Sequence, residues 1–195
     1  MSGRPCKIAI AGTHSTGKTT FMRRLQDELV RRGLRPAYVH DSAVNARELG
    51  FPILRDHTFE STAWIMAEAI RLETVASLTA DVILVDRPVP DALGYLSAAL
   101  RVTHRVLPPG RLERLEAICA AWVGEYDMML VTELDPAVPI GPGRDDDNLF
   151  RAAAAEEIAA IMGRLAPDAM VVRSTDAEEA LRCAIAVAKR DRASA

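Results

Sequence analysis

The chain has 195 residues, 49% of them hydrophobic and 26% charged, with 24 basic against 27 acidic side chains for a formal net charge of -3. That apolar content excludes intrinsic disorder, and the near-balanced charge lacks the footprint of a general nucleic-acid or anionic-membrane binder. No apolar run approaches the ~20 residues that span a bilayer and the first residues show no signal-peptide core, so one domain over residues 1–195 in the cytosol is expected.

In chain order, a β-branched run at 7–11 leads through a Gly/Ser/Thr segment into a helical pattern at 21–32, where Met22, Leu25 and Leu29 recur on one face. Asp27 with Arg31 and Glu28 with Arg32 form i,i+4 pairs on its outer face, and Gly33 stands where a left-handed cap is expected. A second strand at 37–40 ends in Asp41, and residues 42–80 read as two helices interrupted at Gly50 and Pro52. The apolar run 82–85 is the pattern of a strand buried on both faces, ending in Asp86 and Arg87. Helices at 91–101 and 111–125 follow, separated by Pro108-Pro109-Gly110. A fourth strand at 128–131, a Pro/Gly-rich loop at 135–143, a helix at 147–165, a fifth strand at 169–172 and a helix at 176–190 complete the chain. Strands alternating with helices imply a parallel sheet covered on both sides, with function at the carboxyl ends of its strands.

Cys6, Cys119 and Cys183 are scattered in a way that suits neither a disulfide framework nor a zinc site. His14, His40, His57 and His104 are equally dispersed and read as ordinary polar or capping residues, His14 excepted.

Gly12-Thr13-His14-Ser15-Thr16-Gly17-Lys18-Thr19 fits G-x-x-x-x-G-K-[ST] between an expected strand and an expected helix, the context a P-loop requires. Its glycines let the backbone wrap a phosphate, its N–H groups and the helix N-terminus supply positive potential, and Lys18 brings a charge to the β- and γ-phosphates. Thr19 would hold Mg2+ through its hydroxyl, with Asp86 as the second metal residue unless it only caps the turn that follows. A dinucleotide fold lacks its G-x-G-x-x-G, and a GTPase lacks its base reader, because Thr132-Glu133-Leu134-Asp135 has no lysine. Asp91-Ala92-Leu93-Gly94 spells D-x-x-G but follows the turn at Pro88 and Pro90 instead of ending a strand.

The segment Asp86-Arg87-Pro88-Val89-Pro90-Asp91-Ala92-Leu93-Gly94-Tyr95 resembles the D-R-x-x-x-D-x-x-x-Tyr signature of small P-loop kinases, and most of all the ATPase group containing ribosylnicotinamide kinase domains. In that group a segment like 12–20, ending here in Thr20, also opens the chain. The resemblance implies a P-loop NTPase fold, a three-layer α/β sandwich around a five-stranded parallel sheet. It implies ATP and Mg2+ as cofactors and transfer of a phosphoryl group to a small-molecule acceptor. It further implies an acid after the second strand, here Asp41, and an arginine-bearing lid at about 135–151 with Arg144 and Arg151. That acid is commonly glutamate in the group, and the arginine often found three residues later is Val44 here, so the acceptor pocket is expected to differ.

Within this frame Lys18, Arg87, Arg144 and Arg151 are the expected cations of catalysis. Asp41 either positions and deprotonates an acceptor hydroxyl or caps the next helix. Arg87 either holds phosphate or forms a salt bridge to Asp91. Asp91 and Tyr95, one turn apart, line the acceptor site, or Asp91 only caps. The acids Asp145, Asp146 and Asp147 are read as helix-start residues, Trp64 and Met66 as core or pocket wall, and Trp122 likewise. Position alone puts Arg173-Ser174-Thr175-Asp176 near adenine. The expected reaction is phosphorylation of a hydroxyl on a nucleoside-like or ribosyl compound. The alternatives are a nucleotide kinase acting on a monophosphate and a P-loop ATPase acting as a nucleotide-dependent regulator.

Overall fold

The computed structural model describes residues 4–135 and 147–193. Five strands, β1 (Cys6–Ala11), β2 (Pro36–Val39), β3 (Val82–Asp86), β4 (Met128–Thr132) and β5 (Met170–Val172), form one parallel sheet in the order β2-β3-β1-β4-β5. The helices are α1 (Lys18–Arg31), α2 (Ala43–Glu48), α3 (Phe59–Ala76), α4 (Val89–Thr103), α5 (Arg111–Val123), α6 (Asn148–Leu165) and α7 (Ala177–Ala193). A 3-10 turn, Leu54–Asp56, lies between α2 and α3.

Period-two alternation along the strands divides the core. Ile8, Ile10, Leu84 and Leu130 point to the face covered by Met22, Leu25 and Leu29 of α1 and by Ala180, Leu181 and Ala184 of α7. Ala9, Ala11, Ile83, Val85 and Met129 point to the other, where Tyr95 and Ala99 of α4 and Phe150, Ala154 and Ile158 of α6 pack. Beyond that layer, Met66 of α3 and Leu115 and Cys119 of α5 close on Leu93 and Leu96 of α4. The result is the three-layer α/β sandwich expected, with the Asp86 strand directly beside the P-loop strand. Among the described residues no helix is long and apolar enough to cross a membrane.

Two helices start ahead of the boundaries that the sequence pattern suggests. α1 starts at Lys18, ahead of the periodicity that begins near Phe21. α4 starts at Val89 with Pro90 in its first turn, where a missing N–H leaves no bond unmade. Asp91 therefore sits inside the helix and is not its cap. On α1, Arg32 does pair with Glu28, but Arg31 turns to Glu28 at 2.6 Å and gives only its Nε to the Asp27 carbonyl.

Gly94 owes its identity to packing. A Cβ there would lie 2.4 Å from Ile158 Cγ1 and 3.0 Å from Ile158 Cα, so α4 and α6 touch backbone to backbone at this point. The D-x-x-G spelling is thus a helix contact. Gly94→Ala gains ~1 kcal/mol of helix propensity but overfills a rigid contact, and a net loss of about 1–2 kcal/mol is expected. A lower urea midpoint at unchanged slope checks it; an unshifted midpoint contradicts the contact.

Candidate active site

The loop from β1 to α1 depends on three residues in the left-handed region, Gly12 (φ 136°), Ser15 (φ 56°) and Gly17 (φ 84°). At Gly12 space forbids a side chain as well, since a Cβ would lie 2.1 Å from Thr132 Oγ1. Thr132, at the end of β4, donates to the Ala11 carbonyl at 3.2 Å and lies 2.7 Å from Thr16 Oγ1. Arg151 of α6, 4% exposed, donates Nε to the His14 carbonyl at 3.3 Å and Nη2 to the Ser15 carbonyl at 3.1 Å. The loop is thereby clamped from β4 and from α6. Thr20 lies exposed on the first turn of α1 and lines the same cleft.

Lys18 folds back over this loop, donating to the Thr13 carbonyl and, at 3.3 Å, to Thr16 Oγ1. Burial lowers its pKa to about 7, and Arg87 adds to that, against the attraction of Asp91, Asp86 and Asp41. Protonated Lys18 is thus a buried cation that an incoming anion would stabilise.

Thr19 Oγ1 donates to Asp86 Oδ2 at 3.1 Å, and Tyr38 OH donates to the same oxygen at 2.8 Å. Asp86 receives hydroxyls and, among the described residues, caps no turn. A hydroxyl and a carboxylate one hydrogen bond apart suit Mg2+, which takes one or two protein oxygens and completes its shell with phosphate and water. Among the described residues no group of three or more His, Cys, Asp or Glu side chains forms a separate metal cage.

Arg87, at φ 71°, is enclosed by acids. Its Nε lies 2.7 Å from Asp41 Oδ2 and its Nη1 2.8 Å from Asp91 Oδ2 and 3.2 Å from the Gly12 carbonyl. The guanidinium also stacks on the Tyr95 ring at 4.8 Å. Burial opposes its charge, but Tyr95, Asp41 and Asp91 outweigh it and hold its pKa above the usual arginine range. Asp91 gives its other oxygen to the Gly12 N–H at 2.8 Å, and Tyr95 OH lies 3.5 Å from Thr13 Oγ1. Asp41 accepts the Ala43 N–H at 2.8 Å through Oδ1, so it starts α2 and pairs with Arg87 at once.

Two clefts meet at this network. One runs along residues 14–20 of the P-loop and is bounded by Tyr38, His40 and Asp86. The other, about 270 Å³, is walled by Ile53, Leu54, Ile65, Met66, Val89 and Ala92. They share His14, Asp41, Val44 and Arg87. Asp91 and Tyr95 line the second cleft, as do Ser42 and His57, which the sequence pattern passed over. Ser42 had a signal in its position beside Asp41; His57 had none. Met66 is a pocket wall, whereas Trp64 packs on Phe51 with ring centroids 5.6 Å apart. Asp147 behaves as a helix-start residue, accepting the Phe150 N–H at 2.9 Å and pairing with Arg55 at 2.9 Å. Arg144, Asp145, Asp146 and most of the expected lid lie outside the described residues. Arg151 belongs to α6 and already faces the P-loop, so it is a clamp on that loop. Arg173 pairs with Glu133 at 2.5 Å beyond the ends of β4 and β5.

The AAA domain family matches residues 7–180. The chain belongs to this family. No curated protein matches it. Among solved structures it is similar to NadR protein in complex with NAD and AMP-PNP, at 17% identity and a TM-score of 0.62 over 93% of this chain and 48% of that one. A second NadR structure, in complex with NR, gives 17% identity and a TM-score of 0.63 over 93% and 50%. The chain spans about half the length of these structures. The likeness establishes the P-loop NTPase fold, and the motif within it is a nucleotide-binding one.

The lowered Lys18 pKa has a measurable sign. Between about 7 and the ordinary 10.5 the unfolded chain holds the proton and the folded one does not, so this group makes stability rise with pH across that window. A bound triphosphate reverses the shift, and ATP binding at pH 8 should take up close to one proton. Titration calorimetry in buffers of different ionisation enthalpy measures this uptake, and Lys18→Met should abolish it. Equal uptake in both proteins would assign the proton elsewhere.

Proposed function

We propose that the chain is a Mg-ATP-dependent phosphotransferase acting on a hydroxyl of a small nucleoside-like or ribosyl metabolite. The observation that carries this reading is the shared wall: His14, Asp41 and Arg87 border both the P-loop cleft and the apolar cleft. A nucleotide hydrolase needs only the first. Two clefts meeting at a carboxylate and a guanidinium provide for a donor phosphate on one side and an acceptor on the other.

Thr19 and Asp86 would hold Mg2+, and Mg-ATP supplies the transferable γ-phosphoryl group. Asp41 has lone pairs left after its bonds to Ala43 and Arg87, and they take the acceptor hydroxyl proton as the oxygen–phosphorus bond forms and the bond to the β-phosphate oxygen breaks. Lys18 and Arg87 balance the charge that develops on the transferring and leaving oxygens. The apolar cleft favours an uncharged acceptor over a monophosphate, because Arg87 is already closed between two carboxylates. The remaining guanidinium on the cleft, Arg47, is exposed.

Asp41→Asn tests the assignment. Asparagine still accepts the Ala43 N–H but takes no proton, so turnover should fall about 100-fold while ATP binding persists. Lys18→Ala should abolish transfer. Mass spectrometry of metabolite acceptors incubated with Mg-ATP identifies the product. Near-normal turnover in Asp41→Asn, or a monophosphate as the sole acceptor, would overturn the hydroxyl-kinase reading; ATP hydrolysis with no acceptor product would make the chain an ATPase.

A further inference from the structure

We infer that Ser42 and His57 recognise a second hydroxyl of the acceptor, distinct from the one that receives the phosphoryl group; this rests on the phosphotransferase reading. Ser42 is 4% exposed, and its Oγ is the one buried side-chain polar atom without a hydrogen-bond partner among the described residues. Such atoms are rare in folded proteins because losing water without replacement is unfavourable. Ser42 stands at the N-cap of α2, where a serine oxygen ordinarily accepts a backbone N–H. Here its backbone angles are helical (φ -82°, ψ -3°) and not the extended ones of a capping serine, and it makes no capping bond. Ser42 lines the apolar cleft, next in sequence to the acid of the shared wall.

His57 lines the same cleft and is 3% exposed. Its Nδ1 lies 2.9 Å from the Leu54 carbonyl, which only accepts, so Nδ1 carries the proton and Nε2 presents a lone pair. Nε2 makes no hydrogen bond among the described residues. Arg105 fixes the turn around it, donating to the carbonyls of Arg55 at 2.8 Å and His57 at 2.9 Å. Burial lowers the His57 pKa to about 4, with Asp41 as the facing anion and Arg87 and Arg105 as the facing cations, so the ring is neutral near pH 7.

The imidazole lone pair on this apolar wall needs a ligand group that donates, and the serine hydroxyl, which both donates and accepts, can pair with that group in either sense. A carbonyl only accepts and leaves Nε2 unmet. An ammonium brings a cation beside Arg87 and Arg105. A hydroxyl meets both, and the apolar walls take the rest of the molecule.

The test uses calorimetric binding of adenosine, cytidine, guanosine and uridine and their 2′-deoxy and 3′-deoxy counterparts to the wild type, Ser42→Ala and Ser42→Thr. The wild type should prefer a ribonucleoside over one of its deoxy forms by about 10-fold. Ser42→Ala should erase that preference without lowering the melting temperature, since it removes an unsatisfied hydroxyl, and Ser42→Thr should retain part of it. In turnover, Ser42→Ala should raise KM and leave kcat nearly unchanged, unlike Asp41→Asn. Equal binding of all forms by the wild type, a preference that survives Ser42→Ala, or no nucleoside binding at all would each overturn the assignment. The phosphotransferase reading is judged separately, by acceptor product and its loss in Lys18→Ala.

Discussion

Arg87 held between Asp41 and Asp91 is the contact on which the rest of the site depends. Burying a guanidinium and two carboxylates is unfavourable unless each is paired and hydrogen-bonded, and removing one member strands the others. Asp91 is 1% exposed, so Arg87 is what keeps its charge tolerable. Its second oxygen takes the Gly12 N–H, which makes the first residue of the P-loop part of the same network. Arg87 reaches both acids from a left-handed φ, a conformation that costs a non-glycine residue roughly 1–2 kcal/mol. The pairings offset that cost. The strained residue thus stands where β3 ends and the two clefts meet.

Much of this architecture was legible in the sequence, and what was missed has a common cause. Buried strands announce themselves as continuous apolar runs, so β1, β3 and β4 are visible, and the glycine-lysine motif places the phosphate loop between β1 and α1. The adjacency of β1 and β3 followed from chemistry, since Thr19 and Asp86 must share a metal. The double duty of Asp91 did not, because its partner Gly12 is 79 positions away and nothing local distinguishes an acid bonded to a loop N–H from one facing a substrate. His57 was invisible for a related reason, and Ser42 was marked only by its place beside Asp41. An orphan hydroxyl is a property of surroundings, and here it accompanies the helical backbone angles of Ser42, which makes no capping bond.

A second buried ionic group shows that the fold tolerates charge where donors converge. Glu73, on α3, accepts from Trp122 Nε1 at 2.8 Å, from Tyr126 OH at 2.8 Å and from Lys7 Nζ at 3.4 Å, while Lys7 lies over the Trp122 ring at 4.5 Å. Burial raises the Glu73 pKa, and these three donors oppose the rise. The cluster joins β1, α3 and α5, and it gives Trp122 a bonding partner in the core. The contrast with Arg87 is in the acids: Glu73 is surrounded by protein donors, whereas Asp41 keeps part of its side chain accessible at the shared wall.

The contact between α4 and α6 carries this logic to the phosphate loop. Gly94 lets the two helices meet with no side chain between them, and Ile158 at that contact lies about two turns along α6 from Arg151. A helix transmits displacement as a stiff rod, so the depth of the Gly94 contact sets how far Arg151 reaches. Its bonds to the His14 and Ser15 carbonyls, at 3.3 and 3.1 Å, are near the long end of useful hydrogen bonds and leave little slack for withdrawal. Asp91, three residues before Gly94 on α4, holds the loop from its other end through Gly12. One helix therefore fixes the phosphate loop directly at its first glycine, and through its neighbour at the middle, and a glycine far from any phosphate belongs to the geometry that binds one.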